Sequence, residues 1–189
     1  MLVVTLVWAA VLGGVSGVVL GTAPASAAAG IEDYASWQPQ KRCAERVKPG
    51  TRALARWTVR RGGSLGGMLR ACSSGGASEH KDGRAFDWML DASRKRDSRI
   101  ARRYLRVLFA ADRAGRPDAR ARRMGIMYVI WDDRIYSAWN RFESERYLSS
   151  SCRSRRRCSR TLRHRDHVHV SLGFPGARAR TSWYDGRVS

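Results

Sequence analysis

An imidazole and a carboxylate stand seven residues apart in Ser78-Glu79-His80-Lys81-Asp82-Gly83-Arg84-Ala85-Phe86-Asp87, with a turn-forming Asp82-Gly83 between them. Residues 84–90 read as a strand, in which alternate side chains share a face. Ala85, Asp87 and Met89 then point one way, while Phe86, Trp88 and Leu90 form an apolar face for a core. The turn brings His80 back over Asp87, and the small Ala85 leaves room there. A His and an Asp converging on one space suit a divalent cation, zinc above all. Two ligands do not make a catalytic zinc site. The other three of the four histidines lie together in His164-Arg165-Asp166-His167-Val168-His169-Val170-Ser171-Leu172. From Asp166 onward this reads as a second strand, with Val168, Val170 and Leu172 on one face and His167 and His169 on the other. Three protein ligands plus one water is the pattern of a hydrolytic zinc centre.

Ser78-x-His80-x-x-Gly83-x-Ala85-x-Asp87 fits every fixed position of the SxHxxGxAxD motif of the zinc DD-peptidases related to D-Ala-D-Ala carboxypeptidases and dipeptidases. Asp166-x-x-His169 resembles that family's second motif, an acidic residue three before a histidine. The likeness runs from about residue 34 to about residue 174, and the chain looks most similar to small secreted actinobacterial members of the group. The resemblance implies the hedgehog/DD-peptidase fold, zinc held by His80, Asp87 and His169, and a general base at Asp166. Strand alternation pulls against that last role, because it sets His167, not Asp166, on the face of His169. Asp166 serves as the base if it precedes the regular strand, and His167 then orients the water or bonds the transition state. Arg70, just upstream, is a candidate to bind a substrate carboxylate or an oxyanion. Ser78 reads as a structural bond to the turn, and His164 as a solvent-exposed histidine without a role.

Outside these residues, the pattern predicts helices over residues 51–60, capped by Thr51, and over a short stretch through Leu65, Met68 and Leu69. Ile100, Tyr104, Leu105, Leu108 and Phe109 recur at helical spacing within residues 93–113, with arginines between them. A short helix is expected over residues 118–124. Residues 126–131 and 134–138 flank Asp132-Asp133 as a hairpin whose first strand, apolar on both faces, belongs in the middle of a sheet. Residues 139–147 suit a helix, and residues 149–160 a Ser/Arg-rich loop. The sum is α+β, with helices packed on a small, mainly antiparallel sheet.

Residues 2–20 are almost wholly apolar, and Ala25-Ser26-Ala27 follows as a small-x-small cleavage site. Residues 1–27 therefore read as a secretory signal peptide, with no lysine or arginine before the apolar run; an uncleaved anchor is the competing reading. Residues 28–189 then form one domain with a core over about 34–174 and a poorly ordered tail at 175–189. All of the formal charge, +20, falls in this part. Such a protein associates with polyanions, which outside a cell are anionic wall polymers and lipid headgroups. Cys43, Cys72, Cys152 and Cys158 are even in number, so disulfides are expected, with Cys152–Cys158 and Cys43–Cys72 favoured among the three pairings. No helix-turn-helix, zinc-finger or RNA-binding signature accompanies the charge, which argues against nucleic acid.

The function expected is a secreted or wall-associated monomeric zinc metallopeptidase. It would act on peptidoglycan stem peptides as a D,D-carboxypeptidase, a dipeptidase or an endopeptidase. The alternative is a non-catalytic, zinc-containing wall-binding relative.

Overall fold

The computed structural model describes Met1 and residues 30–188. The chain divides into two units, Met1–Gly30 and Ile31–Ser189, and the described strands and helices all belong to the second. The expected export segment, apart from Met1, lies outside the described residues.

The architecture is α+β. Among the described residues six strands form one antiparallel sheet: β1 (Ser64–Leu65), β2 (Ala85–Met89), β3 (Ile126–Trp131), β4 (Arg134–Ser137), β5 (Ser144–Arg146) and β6 (His167–Leu172), in the order β1-β2-β6-β3-β4-β5. The helices are α1 (Pro49–Val59), α2 (Lys95–Phe109), α3 (Ala119–Arg123) and α4 (Phe174–Ala177). β3 is buried at every residue and lies between β6 and β4, the central place its two apolar faces require. Asp132 and Asp133 turn it into β4 with φ of 47° and 62°. Both are left-handed, as tight hairpin turns demand, and aspartate tolerates that conformation better than most residues. β5 is exposed throughout, and its Glu145 and Arg146 blunt the sheet edge.

One face of the sheet makes the core. Phe86, Trp88, Val168, Val170 and Leu172 are fully buried, in one cluster with Leu54 of α1 and Tyr104 and Leu108 of α2. Burial of each large apolar side chain contributes roughly 1.5–3 kcal/mol. Trp88 satisfies its indole N–H on the Gly62 carbonyl at 2.7 Å. The arginines of α2, including Arg96, Arg99, Arg102 and Arg106, stay exposed on its outer side.

Several elements differ from expectation. α1 begins at Pro49, whose fixed φ suits a first helical position. Thr51 is therefore inside the helix, and its buried hydroxyl lacks a partner. Gly50 lets the helix press on α4, since a Cβ there would meet the Gly176 carbonyl at 2.0 Å. The helix expected through Leu65–Leu69 is absent. That stretch pairs with β2 instead, the Gly66 N–H donating to the Asp87 carbonyl and the Asp87 N–H to the Gly67 carbonyl, both at 2.8 Å. α2 is shorter than expected. Asp91 captures the N–H and hydroxyl of Ser93 at 2.8 and 2.6 Å, and Asp112 captures the N–H groups of Ala114 and Arg116 in the turn beyond the helix. The helix expected over 139–147 is a 3-10 turn at Ala138–Asn140 followed by β5. Arg141 and Phe142 take left-handed φ, which ends the turn, while Phe142 stacks on Phe109 at 4.8 Å.

The described part of the tail packs on the core through two aromatic residues. Trp183 packs edge-on against Trp57 at 5.7 Å, and Tyr184 is buried with its hydroxyl donating to the Met124 carbonyl at 3.1 Å. Both favoured disulfides are present, Cys43–Cys72 and Cys152–Cys158, with Cα separations of 5.8 and 5.4 Å. They fit an extracellular protein. No helix among the described residues is long and apolar enough to cross a membrane.

Arg84 ties the motif to the rest. Its fully buried guanidinium donates to Asp82 at 2.9 Å and to the Leu172 and Gln38 carbonyls at 2.8 Å each, and its plane lies 4.1 Å from the Phe174 ring. Arg84→Ala strands a buried carboxylate and two carbonyls. The expected cost is about 3–5 kcal/mol, read as a lowered urea midpoint at unchanged slope. Arg84→Lys should recover little of it, since one ammonium cannot span the three acceptors.

Candidate metal centre

β2 and β6 pair so that Asp87 stands directly opposite His169, Met89 opposite His167 and Ala85 opposite Ser171. The faces are those that alternation assigns: these six residues turn away from the core that Phe86, Trp88, Val168 and Val170 enter. Asp166 falls one residue before β6. His80 arrives on the turn between Ser78 and Arg84. The Lys81 N–H donates to the Ser78 carbonyl at 2.9 Å, the Gly83 N–H to the His80 carbonyl at 3.3 Å and the Arg84 N–H to the Glu79 carbonyl at 2.9 Å. Gly83 has φ +73°, and a Cβ on it would lie 2.6 Å from the Arg46 carbonyl, so both conformation and space demand glycine there. The whole turn from Glu79 to Arg84 is buried. The Lys81 ammonium is held by the Ser74 and Gly76 carbonyls.

Three side-chain atoms converge. His80 Nε2 lies 3.2 Å from both Asp87 Oδ1 and His169 Nδ1, and His169 Nδ1 lies 3.1 Å from Asp87 Oδ1. Each residue offers one metal-ligating atom to a common point. A tetrahedral zinc with bonds of about 2.0–2.1 Å sets its ligand atoms about 3.3 Å apart, which matches these separations. The donor set, two imidazoles and a carboxylate, is one that zinc accepts.

The electrostatics favour ligand forms. Burial alone would raise the Asp87 pKa, but hydrogen bonds and charge from His169 and His80 outweigh it and hold the group well below the usual carboxylate range. Burial lowers the pKa of His169, favouring the neutral ring a metal needs.

His167 presents Nε2 to the centre, 3.6 Å from Asp87 Oδ1, and its Nδ1 is 2.7 Å from Asp166 Oδ1. The other Asp166 oxygen accepts from the Thr161 hydroxyl at 2.5 Å. Burial opposes ionisation of Asp166, yet the bonds from Thr161 and His167 lower its pKa. His164 is not the solvent-exposed histidine expected. Its ring packs 4.7 Å from His167 and 5.1 Å from Tyr147, and its buried Nδ1 has no partner. Burial, with His169 and His167 beside it, pulls its pKa down to about 2. The loop before β6 folds over the hairpin turn to put it there: the Asp132 N–H donates to the His164 carbonyl at 2.8 Å, and Arg163 pairs with both Asp133 oxygens at 2.8 and 2.7 Å. Arg70 is exposed and lines a surface cavity with Glu45 and the Cys43–Cys72 disulfide. Among the described residues it forms no hydrogen bond to the three converging side chains.

Sequence reasoning missed Glu79, Tyr128 and Ser171 around His169. Ser171 was findable, since it lies two residues from His169 on the same strand face; Tyr128 comes from a distant strand and carried no local signal.

The family model described as VldE, C-terminal domain, matches residues 43–156. That span contains His80 and Asp87 and ends before Asp166, His167 and His169. No curated protein and no solved structure matches the chain.

Protein stripped with chelator is expected to bind one zinc ion per chain in titration against a chromophoric competitor. His80→Ala, Asp87→Ala and His169→Ala should each weaken binding by more than the about 10–100-fold that outer hydrogen-bond partners carry. Arg70→Ala should leave it unchanged.

Proposed function

The chain belongs to the VldE C-terminal domain family, and we propose that this member is an exported zinc metallopeptidase acting on peptidoglycan stem peptides. The observation that carries the reading is a hydrogen-bonded acid–imidazole pair, Asp166 and His167, set against the His80–Asp87–His169 cluster. The motif resemblance to zinc DD-peptidases supports the substrate class, and the disulfides support action outside the cell.

His80, Asp87 and His169 would hold the ion through the three atoms that converge. Bound there, zinc lowers the pKa of water towards about 7 and polarises the scissile carbonyl. The chain's own work is proton transfer. His167 faces the cluster through Nε2, so it is the group placed to accept the proton of the attacking water. Asp166 sits behind it on Nδ1, fixing the ring and balancing the imidazolium that forms. His167 then returns the proton to the leaving amine, so water is added across the C–N bond. This allots the base to His167 and makes Asp166 its positioning partner, in place of the direct role the motif resemblance implies for Asp166. Both Asp166 oxygens are already engaged, one by His167 and one by Thr161, which favours that division.

Exposed Trp37 and Trp139 meet edge-to-face at 5.5 Å beside Tyr128 and offer an apolar wall near the cluster. Net charge of +20 would retain the protein on anionic wall polymers, and this retention should fall as salt rises, because the Debye length shrinks from about 10 Å at 0.1 M to about 3 Å at 1 M.

Mass spectrometry of muropeptides digested by the mature protein tests the reading. Shortened stem peptides should accumulate with zinc and vanish with chelator. His167→Ala should lose about 100-fold or more in kcat while keeping zinc, and Asp166→Ala should lose less. Zinc binding without any cleavage would leave a non-catalytic wall-binding protein. Equal losses in turnover with full rescue by Asp166→Glu, and none from His167→Gln, would return the base to Asp166.

A further inference from the structure

The segment from Lys41 to Lys48 walls an open cavity of about 820 Å³, which Asp82, Phe174 and Arg178 also line. None of His80, Asp87, Asp166, His167 and His169 lines it. Five cations share this wall: Lys41, Arg42, Arg46, Lys48 and Arg178. Elsewhere basic side chains find acids. Arg116 and Arg123 share Asp112, and Arg163 takes Asp133. Among the described residues none of the five cavity cations forms a salt bridge. The backbone that carries them is pinned. Cys43 is bonded to Cys72, the Ala44 N–H donates to the Lys81 carbonyl at 2.7 Å, and the Lys48 N–H donates to the Gly83 carbonyl at 3.0 Å. Like charges repel, so holding five around one concavity raises its positive potential. Lys48 is also the N-cap of the 11-residue α1, which adds the positive end of a helix dipole. One acceptor on the wall is unspent. Asp82 gives Oδ2 to Arg84 at 2.9 Å, and its Oδ1 has no partner.

We propose that this cavity binds a phosphorylated polyol or sugar, the repeating unit of an anionic wall polymer. The inference deepens the wall-retention part of the proposed function and needs neither the metal nor the cleavage step. It gives a place to an attraction that net charge alone would spread over the surface. Clustered guanidinium and ammonium groups suit the several oxygens of a phosphate. Asp82 and Glu45, the two carboxylates on the wall, oppose a bare anion, but the hydroxyls of a polyol offer them donors. The disulfides fit a partner outside the cell. Nucleic acid shares the phosphodiester, yet single strands are held by stacking bases on aromatic faces. Phe174 is the one aromatic residue lining the cavity, and its ring already has the Arg84 guanidinium at 4.1 Å and that of Arg178 at 5.6 Å.

Calorimetric titration of the mature protein with a synthetic glycerol-phosphate oligomer tests the site. Wild type should bind the oligomer more tightly than it binds inorganic phosphate or single-stranded DNA of matched charge. Arg46→Gln combined with Lys48→Gln should weaken oligomer binding about tenfold or more, the worth of a hydrogen bond to a charged group. Arg99→Gln combined with Arg102→Gln, on the exposed side of α2, removes the same charge. It should change binding less than about twofold in about 0.15 M salt, where charges beyond about 8 Å are screened. In 15N spectra of wild type the oligomer should move the amide signals of Arg46 and Arg178 and leave those of α2 in place. Equal losses from the two double variants, or no shift at the cavity, overturn the site and leave diffuse charge attraction. DNA bound as tightly as the oligomer, with the same loss in the cavity variant, overturns the ligand class in favour of nucleic acid. Inorganic phosphate bound as tightly overturns it in favour of a bare anion. Muropeptide cleavage is read separately: its absence sinks the peptidase reading and leaves this site standing, and a cleaving protein with a silent cavity does the reverse.

Discussion

The pairing of β2 with β6 is the constraint on which everything else depends. Asp87 faces His169 across that ladder, and the same register puts Trp88 opposite Val168 and Phe86 opposite Val170. A slip of one residue would exchange the two faces of a strand. It would drive an imidazole into the core and expose a fully buried valine. The register that gives the best core is thus the register that assembles the polar cluster, and the hydrophobic term helps enforce the geometry of the site. The disulfide Cys43–Cys72 and the Arg84 hub act on the third participant, the turn carrying His80. Ala44 and Lys48 bind its carbonyls at Lys81 and Gly83 at 2.7 and 3.0 Å, so the lead-in segment clamps the turn from outside the sheet.

This division explains which parts are legible in the sequence. His80, Asp87, His167 and His169 sit in or beside strands whose alternation is complete over five or six residues, so face and direction follow from spacing alone. The Asp132-Asp133 hairpin is legible for a similar reason, because the turn residues and the flanking apolar runs agree. Residues 64–69 and 139–147 look helical and are not. Their backbone goes to a sheet edge, and a helical spacing of apolar residues cannot reveal that an edge is vacant. Composition does not show how the described part of the tail packs, since two aromatics among many small or charged neighbours make its contacts. His164 gives no sign of its burial, because that comes from the hairpin turn, Asp132 and Asp133, about thirty residues away in the chain.

Within the site, the roles of Asp166 and His167 separate along the chain direction. The residue before a strand is freed from alternation and can lie behind its neighbour, here at hydrogen-bond distance from His167 Nδ1. Ser171 shows the converse. Two residues beyond His169 on the same strand, alternation returns a hydroxyl to the face of that histidine, at the ring's other end. A single strand therefore supplies the facing imidazole, the candidate ligand and that ligand's outer partner at successive same-face positions.

The sheet order has a consequence for how the chain comes to life. Among the described residues β6 is the last strand to leave the ribosome, yet it inserts between β2 and β3, which are made long before it. Until residue 172 is available those two strands have no common neighbour, and β2 stands with half its ladder open. Such long-range closure is slow compared with local helix formation. The three converging side chains of His80, Asp87 and His169 therefore cannot meet while any part of β6 is still in transit.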